Sequence, residues 1–96
     1  MLTIIRLNPM GREYTLTEIN PTQTLVADAN GGSVTINLPI SDMSRRWYRW
    51  MMNGEYIQVA FNTVPAEQRE FLLTGITPKQ WNEIFADRED SDREEE

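Results

Sequence analysis

The spacing of apolar residues changes once along this chain, near residue 40, and that change predicts its architecture. Before it, apolar and polar residues alternate as on a strand with one buried face. Leu2 to Leu7, rich in Thr and Ile, reads as a first strand. Asn8-Pro9-Met10-Gly11 has the residue order of a type I turn, with Asn first, Pro second and Gly fourth. Over 13–19, Tyr14 and Leu16 fall on one side, with Glu18 next in their row, and Thr15, Thr17 and Ile19 on the other. Asn20-Pro21 ends that run, and Thr24 to Ala27 reads as a third strand. Ala29-Asn30-Gly31-Gly32 supplies the positive-φ positions of a tight hairpin. The fourth strand, Ser33 to Leu38, turns Val34, Ile36 and Leu38 one way before Pro39 stops it. The pattern predicts an antiparallel sheet of about four short strands, with its order open between a meander and a swapped arrangement.

After Pro39 the period becomes helical. Ser41 is the expected N-cap, Asp42 suits a first turn, and Gly54 is a natural stop. Met43, Trp47, Trp50 and Met51 fall on one stripe, and Arg45, Arg46 and Arg49 on the opposite side. A short helical stretch is expected over 55–61, and Pro65 opens another over 66–74 with Phe71 and Leu72 inward and Gly75 at its end. Thr77-Pro78-Lys79-Gln80 is the strongest local signal, with Thr as N-cap, Pro at the first helical position and Gln placed to close a capping box. The helix it starts presents Trp81, Ile84 and Phe85, most simply as core, or as an apolar face for a partner. Helices this short need tertiary packing, so the fold class is α+β, with three or four short helices packed on the sheet.

Composition narrows the chemistry. Of 96 residues, the last ten contain no apolar side chain. They hold seven acids and two arginines of a chain whose net charge is −6, which leaves seven bases and eight acids in residues 1–86. The expected organisation is one domain over 1–86 and a disordered acidic tail over 87–96. Without cysteine there is no disulfide, thiolate nucleophile or thiolate metal site. Without histidine, the side chain best suited to proton transfer near pH 7 is missing, as is the commonest nitrogen ligand. Asp90-Ser91-Asp92 starts like a calcium loop but lacks its sixth-position glycine and terminal glutamate. The reading is therefore a protein that is not an enzyme and uses no cofactor or metal. No apolar run is long enough for a signal peptide or a membrane span, and a cytoplasmic location is expected.

The segment from Ser44 to Trp50 interleaves bases and aromatic rings, the composition of a single-stranded nucleic-acid platform. Helical geometry turns both indoles to the core, which leaves Arg45, Arg46, Tyr48 and Arg49, with Met52 beside them, as the outward chemistry. That set reads as a solvated face or as a protein contact, with nucleic acid behind both because the body lacks a wider basic patch. The tail residues Glu89, Asp90, Asp92 and Glu94 form a secondary acidic contact in this reading, against the plainer one of a solvated terminus. Glu67 and Glu70 flank Arg69 on an exposed helical face and need no catalytic explanation.

Gly54-Glu-Tyr-Ile-Gln58, followed by Arg69-Glu-Phe-Leu-Leu-Thr-Gly-Ile-Thr-Pro78 with Trp81 and Phe85, resembles a pattern in short bacteriophage and prophage proteins and spans about a third of the chain. Residues 25–39 are similar to a β-hairpin segment of phage fibre proteins. The resemblance implies a phage-encoded accessory protein that acts by binding a host or viral protein, for example as an inhibitor of a host defence or nucleic-acid-processing complex. A virion structural or assembly component and a small single-stranded nucleic-acid-binding protein are the alternatives. A monomer or small homo-oligomer is expected.

Overall fold

Residues 2–84 are described by the structure, a computed structural model, and the chain's first half forms the expected sheet. Strands β1 (Thr3–Leu7), β2 (Glu13–Asn20), β3 (Gln23–Asp28) and β4 (Ser33–Ile36) lie in the order β1-β2-β3-β4, all antiparallel, so the sheet is a meander. The open question of strand order is settled by local hairpins. Alternation sends Tyr14, Leu16, Val26, Val34 and Ile36 to one face, where all are buried. The opposite face carries Thr15, Thr17 and Thr35 and faces solvent.

Helices α1 (Ile40–Met52), α2 (Ile57–Ala60) and α3 (Ala66–Thr74) cover the buried face, and a further helical stretch runs from residue 78 through the last described position, 84. The start of α1 differs from expectation. Pro39, not Ser41, is the N-cap, and no side chain caps the helix. Starting two residues earlier puts Ile40 on the helical stripe, where it is buried in the core. The burial of an apolar side chain here outweighs a serine cap worth about 1 kcal/mol. Gly75, at φ +81°, ends α3 as expected, and a side chain there would collide with the Arg12 guanidinium. Thr77 and Gln80 form the reciprocal capping box, with the Thr77 N–H donating to Gln80 Oε1 at 2.9 Å and the Gln80 N–H to Thr77 Oγ1 at 3.2 Å.

An aromatic lattice fills the space between helices and sheet. Trp47 meets Tyr14, Trp50 and Phe61 edge to face, with centroids 5.5, 5.3 and 6.1 Å away. Tyr14 also meets Phe71 at 5.6 Å. Trp47 and Trp50 are only 1% and 5% exposed, as the helical stripe predicts. Met51 is not part of this stripe. At about 100° per residue it lies roughly 60° from the mean direction of Ile40, Met43, Trp47 and Trp50, and it is exposed. Ile84 is likewise 42% exposed and Trp81 half-buried, so the expected core role of Ile84 is not met. Phe85 lies outside the described residues.

Two polar contacts fasten α3 to the sheet. The Tyr14 hydroxyl donates to the Phe71 carbonyl at 2.6 Å. Asn8 is fully buried and acts in two directions: its amide donates to the carbonyls of Leu72 and Leu73, at 3.0 and 3.2 Å, while its Oδ1 accepts from the N–H groups of Met10 and Arg12. One side chain therefore shapes the β1–β2 turn and satisfies carbonyls at the end of α3.

Two outcomes follow. Trp47→Ala removes the centre of the lattice and is expected to cost about 3–5 kcal/mol in urea unfolding; an unchanged midpoint would contradict the packing. Burial pushes the Tyr14 hydroxyl up to about 12. Unfolded tyrosine ionises near 10, so the fold's advantage from neutral Tyr14 is complete below about pH 10 and lost between there and about pH 12. Absorbance titration should show one late tyrosinate step that Tyr14→Phe abolishes.

Candidate functional site

Helix α1 presents three faces, and their angular positions decide which side chains can act together. The stripe of Ile40, Met43, Trp47 and Trp50 points into the core. On one flank, Ser44, Tyr48, Met51 and Met52 follow each other at i, i+4, i+7 and i+8, so they line up along the helix. Arg45 borders this row. On the other flank lie Arg46 and Arg49.

The sequence-predicted residues Arg45, Arg46, Tyr48 and Arg49 are therefore divided between two flanks. Arg46 reaches across to α2, donating to the Ala60 carbonyl at 3.2 Å and to Asn62 Oδ1 at 3.1 Å. Arg49 grips Glu55, beyond the end of its own helix, through Nε at 3.0 and 3.1 Å and through Nη2 at 2.8 Å. That carboxylate raises the pKa of Arg49 further above its ordinary value. Both guanidinium groups have structural partners. Arg45 pairs with Asp42 one turn back, and both are exposed enough that water screens the pair. Tyr48 is also open to solvent, at 60% exposure.

Tyr48 and Arg45 belong to a groove of about 600 Å³ between α1 and the outer margin of β1. Ile5, Arg6 and Leu7 form its sheet side, and Ser44, Tyr48, Met51 and Met52 its helix side, with Trp47 at the base. Ile5 and Met52 are 59% and 65% exposed, and Leu7 and Met51 are also open to solvent. A second depression, between α2 and α3, is smaller, about 380 Å³. No carboxylate lines the groove among the described residues; its polar groups are two guanidiniums, two hydroxyls and main chain.

Trp47 links groove and core. Its indole N–H donates to the Leu7 carbonyl at 2.8 Å, on the margin of the sheet. Arg6 folds over the same margin, donating to the Ile5 carbonyl at 2.9 Å. Among the described residues no carboxylate lies within ion-pair distance of Arg6.

Sequence reasoning missed the sheet side of this site and the outward turn of Met51, which it had put on the core stripe. The i, i+4, i+7, i+8 spacing from Ser44 was readable, but nothing local shows that β1 would lie beside it. The acidic positions Glu89, Asp90, Asp92 and Glu94 lie outside the described residues. Among those described, no group of three or more acidic side chains is placed to hold a metal, and no helix is long and apolar enough to cross a membrane.

The unequal roles of the arginines can be separated. Arg49→Glu sets two carboxylates against each other and should lower the melting temperature by circular dichroism more than Arg45→Glu does. Equal effects would contradict the assignment. Compared with known proteins, the chain matches no family model, no curated protein and no solved structure.

Proposed function

We propose that this chain is a small accessory protein, phage-encoded as the two sequence fragments imply, that acts by binding another protein through the groove between β1 and α1. One observation carries the reading: Ile5, Leu7, Tyr48, Met51 and Met52 are all exposed and gathered around a single concavity. Scattered apolar side chains on a surface need no explanation, but a contiguous set at a groove marks a contact surface. Its composition fits as well, since aromatic rings, methionine and arginine are enriched at the centres of protein interfaces. Standard interfaces bury about 800 Å² on each partner, so the contact would extend along β1 and the outer face of α1 beyond the groove. A nucleic-acid platform is less well supported, because the two indoles that would stack on bases are in the core and Arg46 and Arg49 are engaged internally.

A binder of this kind would act by occupying a surface on its target, which requires no catalytic group. The targets that suit the reading are host proteins, among them defence or nucleic-acid-processing complexes, in the cytoplasm of the host cell.

Met52→Asp tests it, because the side chain is exposed and its loss should leave stability nearly unchanged. In affinity capture from host cells with the full chain, the partner bound by the wild type should be lost with this variant. Titration against the isolated partner should show at least about a tenfold loss of affinity, or 1.4 kcal/mol. Undiminished binding by a folded Met52→Asp protein would remove the groove as the contact.

A further inference from the structure

Resting on the groove as the contact surface, we infer that its occupant is an extended, acidic segment of the partner, which adds to the open edge of β1 as a fifth strand. The main chain supplies the first argument. The Glu18 N–H donates to the Leu2 carbonyl at 2.8 Å, and the Asn8 N–H to the Arg12 carbonyl at 2.9 Å. With antiparallel alternation, the even-numbered residues of β1 bond to β2, and the main-chain groups of Thr3, Ile5 and Leu7 point away from the sheet. That outward row is the template for strand addition.

The two edges of the sheet differ in how they are protected. On β4, which is four residues long, exposed Ser33 and Thr35 are polar, and Gln68 from α3 donates to the Thr35 carbonyl at 3.0 Å. On β1 the exposed residues include Ile5 and Leu7, without the lysine, proline or bulge that commonly guards an edge. Its two protections are unequal. The Leu7 carbonyl is held by Trp47, whose ring is fixed in the core, so an added strand cannot use it. The Ile5 carbonyl is held only by Arg6, an exposed side chain folded onto its own strand. A carboxylate would draw that guanidinium away into a stronger, charge-assisted bond and uncover the acceptor. Pairing is therefore centred on Thr3 and Ile5.

Charge selects the occupant. On a chain of net charge −6, this groove is lined by no acid among the described residues, by Arg6, which has no carboxylate partner among them, and by Arg45, whose partner Asp42 lies outside the lining. The side chains of an added strand alternate between two faces. Those beside Ile5 meet an apolar neighbour on the solvent side of the sheet. Those turned to α1 meet Arg6, Arg45, Tyr48 and Met52. The matching segment has apolar residues on its first face and at least one carboxylate, flanked by apolar positions, on its second. A second copy of this chain fits less well, since pairing β1 with itself would bring both copies' Arg6 and Arg45 to one seam.

Selection of a random dodecapeptide library on the immobilised full-length chain tests this. The expected winners alternate apolar with Asp or Glu. A synthesised winner should lose at least about tenfold in affinity with Arg6→Glu, or when its alternate amides are N-methylated to remove strand donors. Glu67→Lys, on α3, should leave binding unchanged. Basic winners, or winners with helical i, i+3, i+4 spacing, would overturn the inference. So would an unenriched library, or a dimer of the chain alone that Ile5→Glu dissolves in sedimentation. The underlying reading is separable: helical winners that still lose binding with Met52→Asp leave the groove standing as the contact and remove only the strand, whereas winners indifferent to Met52→Asp remove both.

Discussion

The hydrogen bond from the Trp47 indole to the Leu7 carbonyl is the contact on which the arrangement of this molecule depends. It joins the middle of α1 to the end of β1, a sequence separation of 40 residues. The same indole is the centre of the aromatic lattice, touching rings from β2, from α1 itself and from Phe61 at the end of α2. An indole buried in a core must place its N–H against an acceptor or lose about 1–3 kcal/mol, and here the available acceptor is an outward carbonyl of an edge strand. Meeting that requirement fixes the rotation of α1 about its axis and its distance from β1.

Once the rotation is set, the rest of the helix has no freedom. The flank of Ser44, Tyr48, Met51 and Met52 must face the open side of β1, and the flank of Arg46 and Arg49 must face α2 and Glu55. The groove is thus a by-product of how a tryptophan satisfies its donor. Its apolar walls lie open on a small domain, where polar residues in their place would improve solubility. The buried Asn8, next in the chain after Leu7, works similarly, holding the end of α3 in place through the carbonyls of Leu72 and Leu73.

Much of the fold was legible because its signals are local. Period-two alternation placed Tyr14, Leu16, Val34 and Ile36, and glycine and proline chemistry placed the turns. The Thr77 capping box needed only four consecutive residues. What escaped was non-local. Asn8 looked like a turn residue because its other partners are 64 and 65 positions away. Ser41 looked like a cap because the burial of Ile40 depends on a core that the helix start cannot reveal. The three arginines looked like one patch, since Ala60, Asn62 and Glu55 approach Arg46 and Arg49 only after the chain turns back past Gly54. Of the four residues expected at the site, Arg45 and Tyr48 reach the groove, and the strand that completes it came from the other end of the sequence.

Indole proton exchange measured by nuclear magnetic resonance on the ¹⁵N-labelled full chain addresses the central contact directly. The Trp47 Nε1 proton is expected to exchange as slowly as the core amides of β2, because releasing it means opening the lattice. Exchange of that proton at the rate of a free indole, in an otherwise folded protein, would show that the bond to β1 does not exist and that neither the helix rotation nor the groove follows from it.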